Sequence, residues 1–253
     1  MCLIAWNWQP GGELPLLVLA NRDEFYARPA LALHAWPCGQ VLAGQDAHAG
    51  GTWLGLGRSG SRHRFAALTN FRGPASGRTD APTRGALVPD FLKSDCSAED
   101  FINALEAHAV AYNPFNLLLF DGRALLGFES HSRRTVTLQP GVGAVSNAGF
   151  NTPWPKLQRL TQNLHSHAGS LHASADPEPL LALLGDRTPA ADADLPATGV
   201  PLGLERALSP AFIQMDGYGT RASSLVWVRG DRAEIIEKTF DASGPTGQRR
   251  LAW

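Results

Sequence analysis

Lysine is almost missing from this chain: only Lys93, Lys156 and Lys238 occur among 22 basic residues in 253. The net charge is −1 and no run of like charge appears, so the electrostatic footprint of a nucleic-acid binder is lacking. Cysteine is scarce too. Cys2, Cys38 and Cys96 are odd in number and far apart, which speaks against a disulfide framework or a paired zinc motif. That usage fits a reducing, cytoplasmic setting. No apolar run approaches the ~18 residues of a membrane span. The start shows no basic segment leading into a long apolar stretch, as a secretory leader would. Charged residues are 18% of the chain, below the usual ~25%. Apolar residues are 44%, enough for the core of one domain spanning 1–253. The abundance of Arg and Ala suggests a GC-rich bacterial genome.

What is present reads first as strands. Residues 2–8 form an apolar run closed by Pro10-Gly11-Gly12. Residues 16–20 are continuously apolar, the pattern of a strand buried on both faces. A hairpin is expected from 52–56 and 65–69, and another from 116–120 and 124–128 across Asp121-Gly122. Helices are expected over 84–92 and 98–109, the second capped by Ser97 with Asp100 three residues on. Strands at 134–138 and 144–146 follow, then helices over 153–165 and 176–184. The stretch 186–201 reads as a surface loop or lid, and 225–228 with 233–237 as a closing hairpin. Strands in both halves bracketing helices imply an α+β layered domain.

Cys2 is the most informative position. It is small enough that Met1 is normally cleaved in front of it, leaving a free α-amine beside the thiol. Reference values near ~8.5 for the thiol and ~7.7 for the amine suit proton exchange at neutral pH. The nucleophile then carries its own general base. The bland alternative is a small buried hydrophobe at a strand start.

Five polar clusters accompany it. Asn21-Arg22-Asp23-Glu24 follows the apolar run 16–20 directly. Strand alternation puts Asn21 and Asp23 on one face and Arg22 and Glu24 on the other. A regular strand therefore cannot aim Arg22 and Asp23 at one atom. The others are Gly50-Gly51-Thr52-Trp53-Leu54-Gly55, Leu68-Thr69-Asn70-Phe71, Val145-Ser146-Asn147-Ala148 and Gly217-Tyr218-Gly219-Thr220-Arg221. Each alone is a weak signal, because Asn at a strand end more often makes a turn.

Taken in order, these blocks resemble the NRDE family, the family of transport and Golgi organisation protein two. Asn21-Arg22-Asp23-Glu24-Phe25-Tyr26 with Arg28-Pro29, Ala67-Leu68-Thr69-Asn70, Ser146-Asn147, Thr152-Pro153-Trp154 with Lys156, and Tyr218-Gly219-Thr220-Arg221 carry the resemblance. It implies a four-layer αββα sandwich of the N-terminal nucleophile hydrolase type. It also implies kinship with choloylglycine hydrolases and penicillin V acylases, which cleave linear amides with an N-terminal cysteine. On that footing Cys2 is similar to the nucleophile, and Asp23 to the carboxylate that orients the α-amine. Asn70 resembles the amide of the oxyanion hole, Asn147 a second amide nearby, and Arg221 a late arginine that stabilises charge near the thiolate. Asn21, Arg22, Glu24 and Trp53 are expected to bind substrate or support these groups. One departure stands out: the relatives' early arginine lies three residues before the aspartate, where this chain has Ala20. Arg22 is instead expected to brace a loop or pair with Glu24 or another acid.

The expected function is hydrolysis of an amide, ester or thioester of a small apolar acyl substrate, with no metal or other cofactor. The alternative is a non-catalytic protein that binds or moves haem, acyl-CoA or lipid. Without a Cys-x-x-Cys-His motif any haem would be held non-covalently. His165-Ser166-His167 does not share a helix face and is no metal site. Loops 45–50, 72–83 and 186–201 are expected to shape the pocket. Trp6, Trp8, Trp36, Trp53 and Trp154 are candidates for its apolar lining, core packing being their commoner fate.

Overall fold

The computed structural model describes residues 2–73, 77–167 and 176–253. Met1 and its removal, residues 74–76 of the second expected pocket loop, and His172 lie outside the described residues. Two antiparallel sheets make the body of the fold. The first runs β10 (Gly141–Val145), β1 (Cys2–Trp8), β2 (Leu16–Phe25), β12 (Tyr218–Arg229), β13 (Arg232–Asp241) and β14 (Gly244–Ala252), with the short β11 (Gln214–Met215) beside β12. The second runs β3 (Ala30–Ala35), β4 (Val41–Asp46), β5 (Leu54–Ser59), β6 (Arg62–Asn70), β7 (Phe115–Phe120), β8 (Leu125–Glu129) and β9 (Arg134–Thr137).

Three apolar layers hold four structural layers together. Between the sheets, Ile4, Trp6, Leu16, Val18 and Ala20 meet Leu54, Leu56, Phe65, Ala67 and Leu118. On the outer face of the first sheet, Leu3, Ala5, Leu17 and Leu19 pack under α3 (Pro155–His167) and α4 (Glu178–Leu183). On the outer face of the second, Ala66, Leu68, Leu117 and Leu119 pack under α1 (Leu87–Lys93) and α2 (Ala98–Glu106). The architecture is the αββα sandwich. Residues 16–20 are fully buried because alternate side chains enter two different cores. Each such aliphatic side chain contributes about 1.5–3 kcal/mol on burial.

The helix starts follow local chemistry. The Ser97 hydroxyl accepts from the Asp100 N–H at 3.0 Å and so caps α2. The turn at Asp121-Gly122 is set by the Asp121 carboxylate, which accepts from the N–H groups of Arg123 and Ala124, with Gly122 at φ +90. Strands β3, β4 and β14 and the short α5 (Leu202–Ala207) were not expected from the sequence. β14 is exposed along most of its length and β3 along half of it, so neither shows a run of buried positions.

The stretch 186–201 is a loop, but it is no lid on the cavity. Asp186 forms an ion pair with Arg159 of α3 at 3.1 Å and its carbonyl accepts from the Phe212 N–H, which ties the loop to the helix side of the first sheet. The cavity opens between the sheets, on the other side.

Candidate active site

The sandwich parts at the Cys2 end, and a cavity of about 410 Å³ fills the gap. Cys2 begins β1, a central strand of the first sheet, and borders this cavity while remaining 7% exposed. Its face is fixed by its neighbours: Ile4 and Trp6, two and four residues on, point between the sheets. Across the ladder Cys2 stands directly opposite Arg22. Arg22 shares the inter-sheet face with Val18 and Ala20, so its side chain and the thiol lie on one side of the sheet. Asp23 lies on the other side, with Leu17 and Leu19. The alternation expected within Arg22-Asp23 holds; of the two, Arg22 is the one on the thiol's face.

Arg22 extends toward Asp46 at 3.5 Å and Glu24 at 3.8 Å. Asp46 is held in turn by Arg28 at 2.6 Å, and these bonds keep its carboxyl below the usual range although burial opposes them. Burial pushes the Cys2 thiol up to about 11, and the charge of Asp23 adds to the rise while Arg22 opposes it.

Asp23 is buried beside Thr220, whose hydroxyl donates to it at 2.7 Å. That hydroxyl also accepts from the Ile213 N–H at 2.9 Å. Burial raises the Asp23 carboxyl, while Lys156 and Thr220 hold it down. Lys156 comes from the first turn of α3 and donates to the Leu208 carbonyl at 3.1 Å. Burial drives its ammonium down to about 8 against the pull of Asp23.

A buried polar clasp joins the two sheets at this end. Asn116 Nδ2 donates to Thr69 Oγ1 at 3.1 Å, the Ser146 carbonyl at 3.2 Å and the Ala148 carbonyl at 2.8 Å. Thr69 donates to the Ser146 carbonyl at 2.5 Å, and the Ser146 hydroxyl donates to the Cys2 carbonyl at 2.9 Å. Asn147 Nδ2 donates to the Asn70 carbonyl at 2.8 Å and its Oδ1 accepts from Ser146. Asn147 thus braces the strand end that carries Asn70. Asn70 itself borders the cavity, and its side-chain amide makes no hydrogen bond among the described residues.

Several expected positions hold other places. Asn21 faces α4: its Nδ2 donates to the carbonyls of Leu184 (2.9 Å) and Ala211 (2.8 Å), and its Oδ1 accepts from Ser223. Arg221 is the extra residue of a bulge between Thr220 and Ala222. Its Nε donates to the Phe240 carbonyl, and one terminal nitrogen reaches the carbonyls of Phe25, Tyr26 and Arg28, each near 3.0 Å. It borders the cavity as a brace for the turn after β2. Glu24 and Trp53 line the cavity; Trp6 is buried in the inter-sheet core. Among the described residues no group of three His, Cys, Asp or Glu could hold a metal ion.

This geometry belongs beside known proteins. A profile of the family described as Transport and Golgi organisation 2 matches residues 1–242. The chain belongs to that family. It is 32% identical to the Transport and Golgi organization protein 2 homolog of Bos taurus over 97% of this chain and 95% of the relative. The Homo sapiens homolog is 29% identical over 91% and 90%, and the Drosophila melanogaster protein 29% over 98% and 95%. These Transport and Golgi organisation 2 relatives are animal proteins, so the bacterial source suggested by composition rests on composition alone. No helix among the described residues is long and apolar enough to cross a membrane.

Sequence reasoning assigned no role to three residues that the fold brings to this region of the family member: Lys156, Arg84 and Glu237. Lys156 carried a signal, as one of three lysines and the one inside a quoted motif. Glu237 carried none. Its burial depends on β13 facing β3, where its carboxylate accepts from the Leu33 N–H at 2.7 Å.

Proposed function

We propose that the chain, freed of Met1, is an N-terminal cysteine hydrolase acting on an amide, ester or thioester. The observation that carries this reading is the setting of Cys2: a buried thiol at the first position of an interior strand, bordering a cavity with Asn70 on its wall. In the chain that still carries Met1, burial holds the thiol near 11 and protonated at neutral pH, so a nucleophilic role needs a base within reach. The α-amine of a processed Cys2 is such a base. It takes the thiol proton, and the sulfur attacks the carbonyl carbon. Asn70 and a backbone N–H hold the resulting oxyanion, each donor worth roughly 3 kcal/mol. The ammonium then protonates the departing amine, alcohol or thiol, leaving a thioester on Cys2. Water, losing its proton to the amine, attacks that thioester and releases the acid and the free thiol. Asp23, on the sheet face away from the thiol, balances the ammonium, and Lys156 balances Asp23.

The cavity modifies the expected substrate. Arg22, Arg28, Arg84, Glu24, Asp46 and Glu237 all border it, so a wholly apolar acyl group is a poor match. The rival reading, a carrier of haem, acyl-CoA or lipid, takes its support from the word transport in the relatives' names. Among the described residues no His, Met or Tyr borders the cavity, which leaves Cys2 as the sole haem-ligating side chain there. That donor set suits haem poorly.

The test is intact-mass analysis of Met1-free protein mixed with activated esters. A transient acyl adduct on wild type that is absent from Cys2→Ala supports the hydrolase. Saturable ligand uptake unchanged in Cys2→Ala, with no adduct on wild type, supports the carrier.

A further inference from the structure

Four arginines border the cavity, and three of them are engaged. Arg28 holds Asp46, Arg22 lies between Asp46 and Glu24, and Arg221 is bound to four backbone carbonyls. Arg84 differs. Its single side-chain hydrogen bond among the described residues runs from one terminal nitrogen to the Pro114 carbonyl at 3.0 Å. It makes no ion pair among the described residues, and residues 74–76 and 168–175 contain no Asp or Glu to supply one.

The backbone around Arg84 is built to stay in place. Arg84 opens a 3-10 turn, Arg84–Ala86, whose Gly85 N–H is accepted by the Thr83 hydroxyl at 3.3 Å. The Gly85 carbonyl accepts from the Thr52 N–H at 3.0 Å. Gly51 permits that approach, because a Cβ there would run into the Gly85 carbonyl. The Arg84 backbone therefore stands fixed on the second sheet's side of the cavity that Cys2 and Arg22 also border. Burial lowers its pKa, while Glu24, and Cys2 once ionised, oppose the fall. A half-buried guanidinium with no carboxylate in ion-pair contact among the described residues is half of an ion pair, and its planar fork matches a carboxylate best.

We propose that Arg84 binds the carboxylate of a small anionic ligand, so that the acyl compound taken up carries a carboxylate at the end remote from the carbonyl presented to Cys2. The carboxylate subsite stands on Arg84 alone; the carbonyl half rests on the hydrolase reading. A cavity of about 410 Å³ accommodates a short dicarboxylic half-amide or half-ester.

The probes are iodoacetate and iodoacetamide, which alkylate a thiol alike but differ in charge. With Cys38→Ser and Cys96→Ser as background, the iodoacetate-to-iodoacetamide rate ratio at Cys2 is expected to exceed that of free N-acetylcysteine by roughly tenfold, a charged hydrogen bond's worth. Arg84→Gln should bring the ratio down to the free-thiol value, and Arg84→Lys should restore part of it. A wild-type ratio equal to the free thiol's, or one untouched by Arg84→Gln, overturns the proposal. Should Arg84→Gln fail to fold, protection of wild-type Cys2 from iodoacetamide by glutarate but not by pentane-1,5-diol decides the same point, and equal protection by both overturns it. Comparing glutaryl and pentanoyl nitrophenyl esters separates the two readings. Equal acylation by both sinks the carboxylate subsite while the hydrolase stands. Acylation by neither, with charge-selective alkylation intact, sinks the hydrolase while the subsite stands.

Discussion

The ionisation of Cys2 in the chain that still carries Met1 is the sharpest consequence of its burial. Its thiol is pushed from 9.0 up to about 11, chiefly because a thiolate at this strand start loses its hydration. Two pKa units correspond to about 2.7 kcal/mol against the thiolate. At pH 8 the thiolate fraction falls from about one in ten to about one in a thousand, roughly a hundredfold. A more basic thiolate is also a better nucleophile, with a Brønsted slope of about 0.4–0.5, which returns roughly six- to tenfold. Alkylation of Cys2 by iodoacetamide at pH 8 should therefore run about ten- to fifteenfold slower than that of an exposed cysteine, before any steric hindrance. The assay follows the mass of the Cys38→Ser, Cys96→Ser protein against time from pH 7 to 11.5, with Met1 retained. The rate should still be climbing at pH 10. Removing Met1 places the ammonium on Cys2 itself and should move the rise to lower pH. A midpoint at or below 9 in the Met1-bearing chain would refute the argument, because burial would then not govern the thiol.

Three further outcomes follow from contacts in the same region. Asn116→Ala removes the donor to two buried acceptors and one half-buried one and should lower stability by about 2–4 kcal/mol in urea titration; a loss under about 0.5 kcal/mol would show that water replaces the clasp. Gly51→Ala should destabilise by about 1–3 kcal/mol and weaken the charge selectivity at Cys2, since the added Cβ displaces the turn that carries Arg84; unchanged selectivity would detach that turn from the cavity. The pKa of Lys156 is depressed in the folded chain from 10.5 to about 8, so its contribution to stability is present above 10.5 and is lost as pH falls through about 8. Lys156→Met abolishes that dependence, and the variant's stability relative to wild type should drop by about 2 kcal/mol between pH 8 and pH 10; a constant difference would mean that the ammonium is hydrated.

What the sequence disclosed depended on how local the deciding physics was. β1, β2 and β7 were legible because nearly every residue in them is buried, on one face by the opposing sheet and on the other by helices. β14 was not, because its ladder to β13 is made by backbone groups and its side chains face solvent. The site divided in the same way. The Asn21-Arg22-Asp23-Glu24 block announced polar groups at a strand end, and alternation separated Arg22 from Asp23. Which of them joins the thiol was settled by the pairing of Cys2 with Arg22, a register that no local pattern encodes. Asn21 looked like chemistry and is a strut, because the carbonyls it binds arrive from residues 184 and 211. Lys156 stood in a quoted motif without a role and is buried, because α3 lays it against the sheet beneath Asp23.

That register also recasts the departure from the choloylglycine-type pattern. An arginine three residues before an aspartate lies on the face opposite to it, since an odd separation inverts a strand residue. An arginine one residue before it does the same. Moving the arginine from position 20 to position 22 therefore keeps its face and shifts it two residues along β2, about 7 Å. At position 22 it stands opposite Cys2 itself, whereas position 20 pairs with Ile4, deeper in the sandwich. The change brings the guanidinium to the cavity's end of the strand, where Glu24 and Asp46 take up its charge. A thiol facing an arginine already shared between two carboxylates gains less from it than from an unshared one, which is consistent with burial outweighing Arg22 in setting the thiol near 11. The two residues thus lie on opposite faces of the sheet beside Cys2, Arg22 on the inter-sheet side and Asp23 on the helix side.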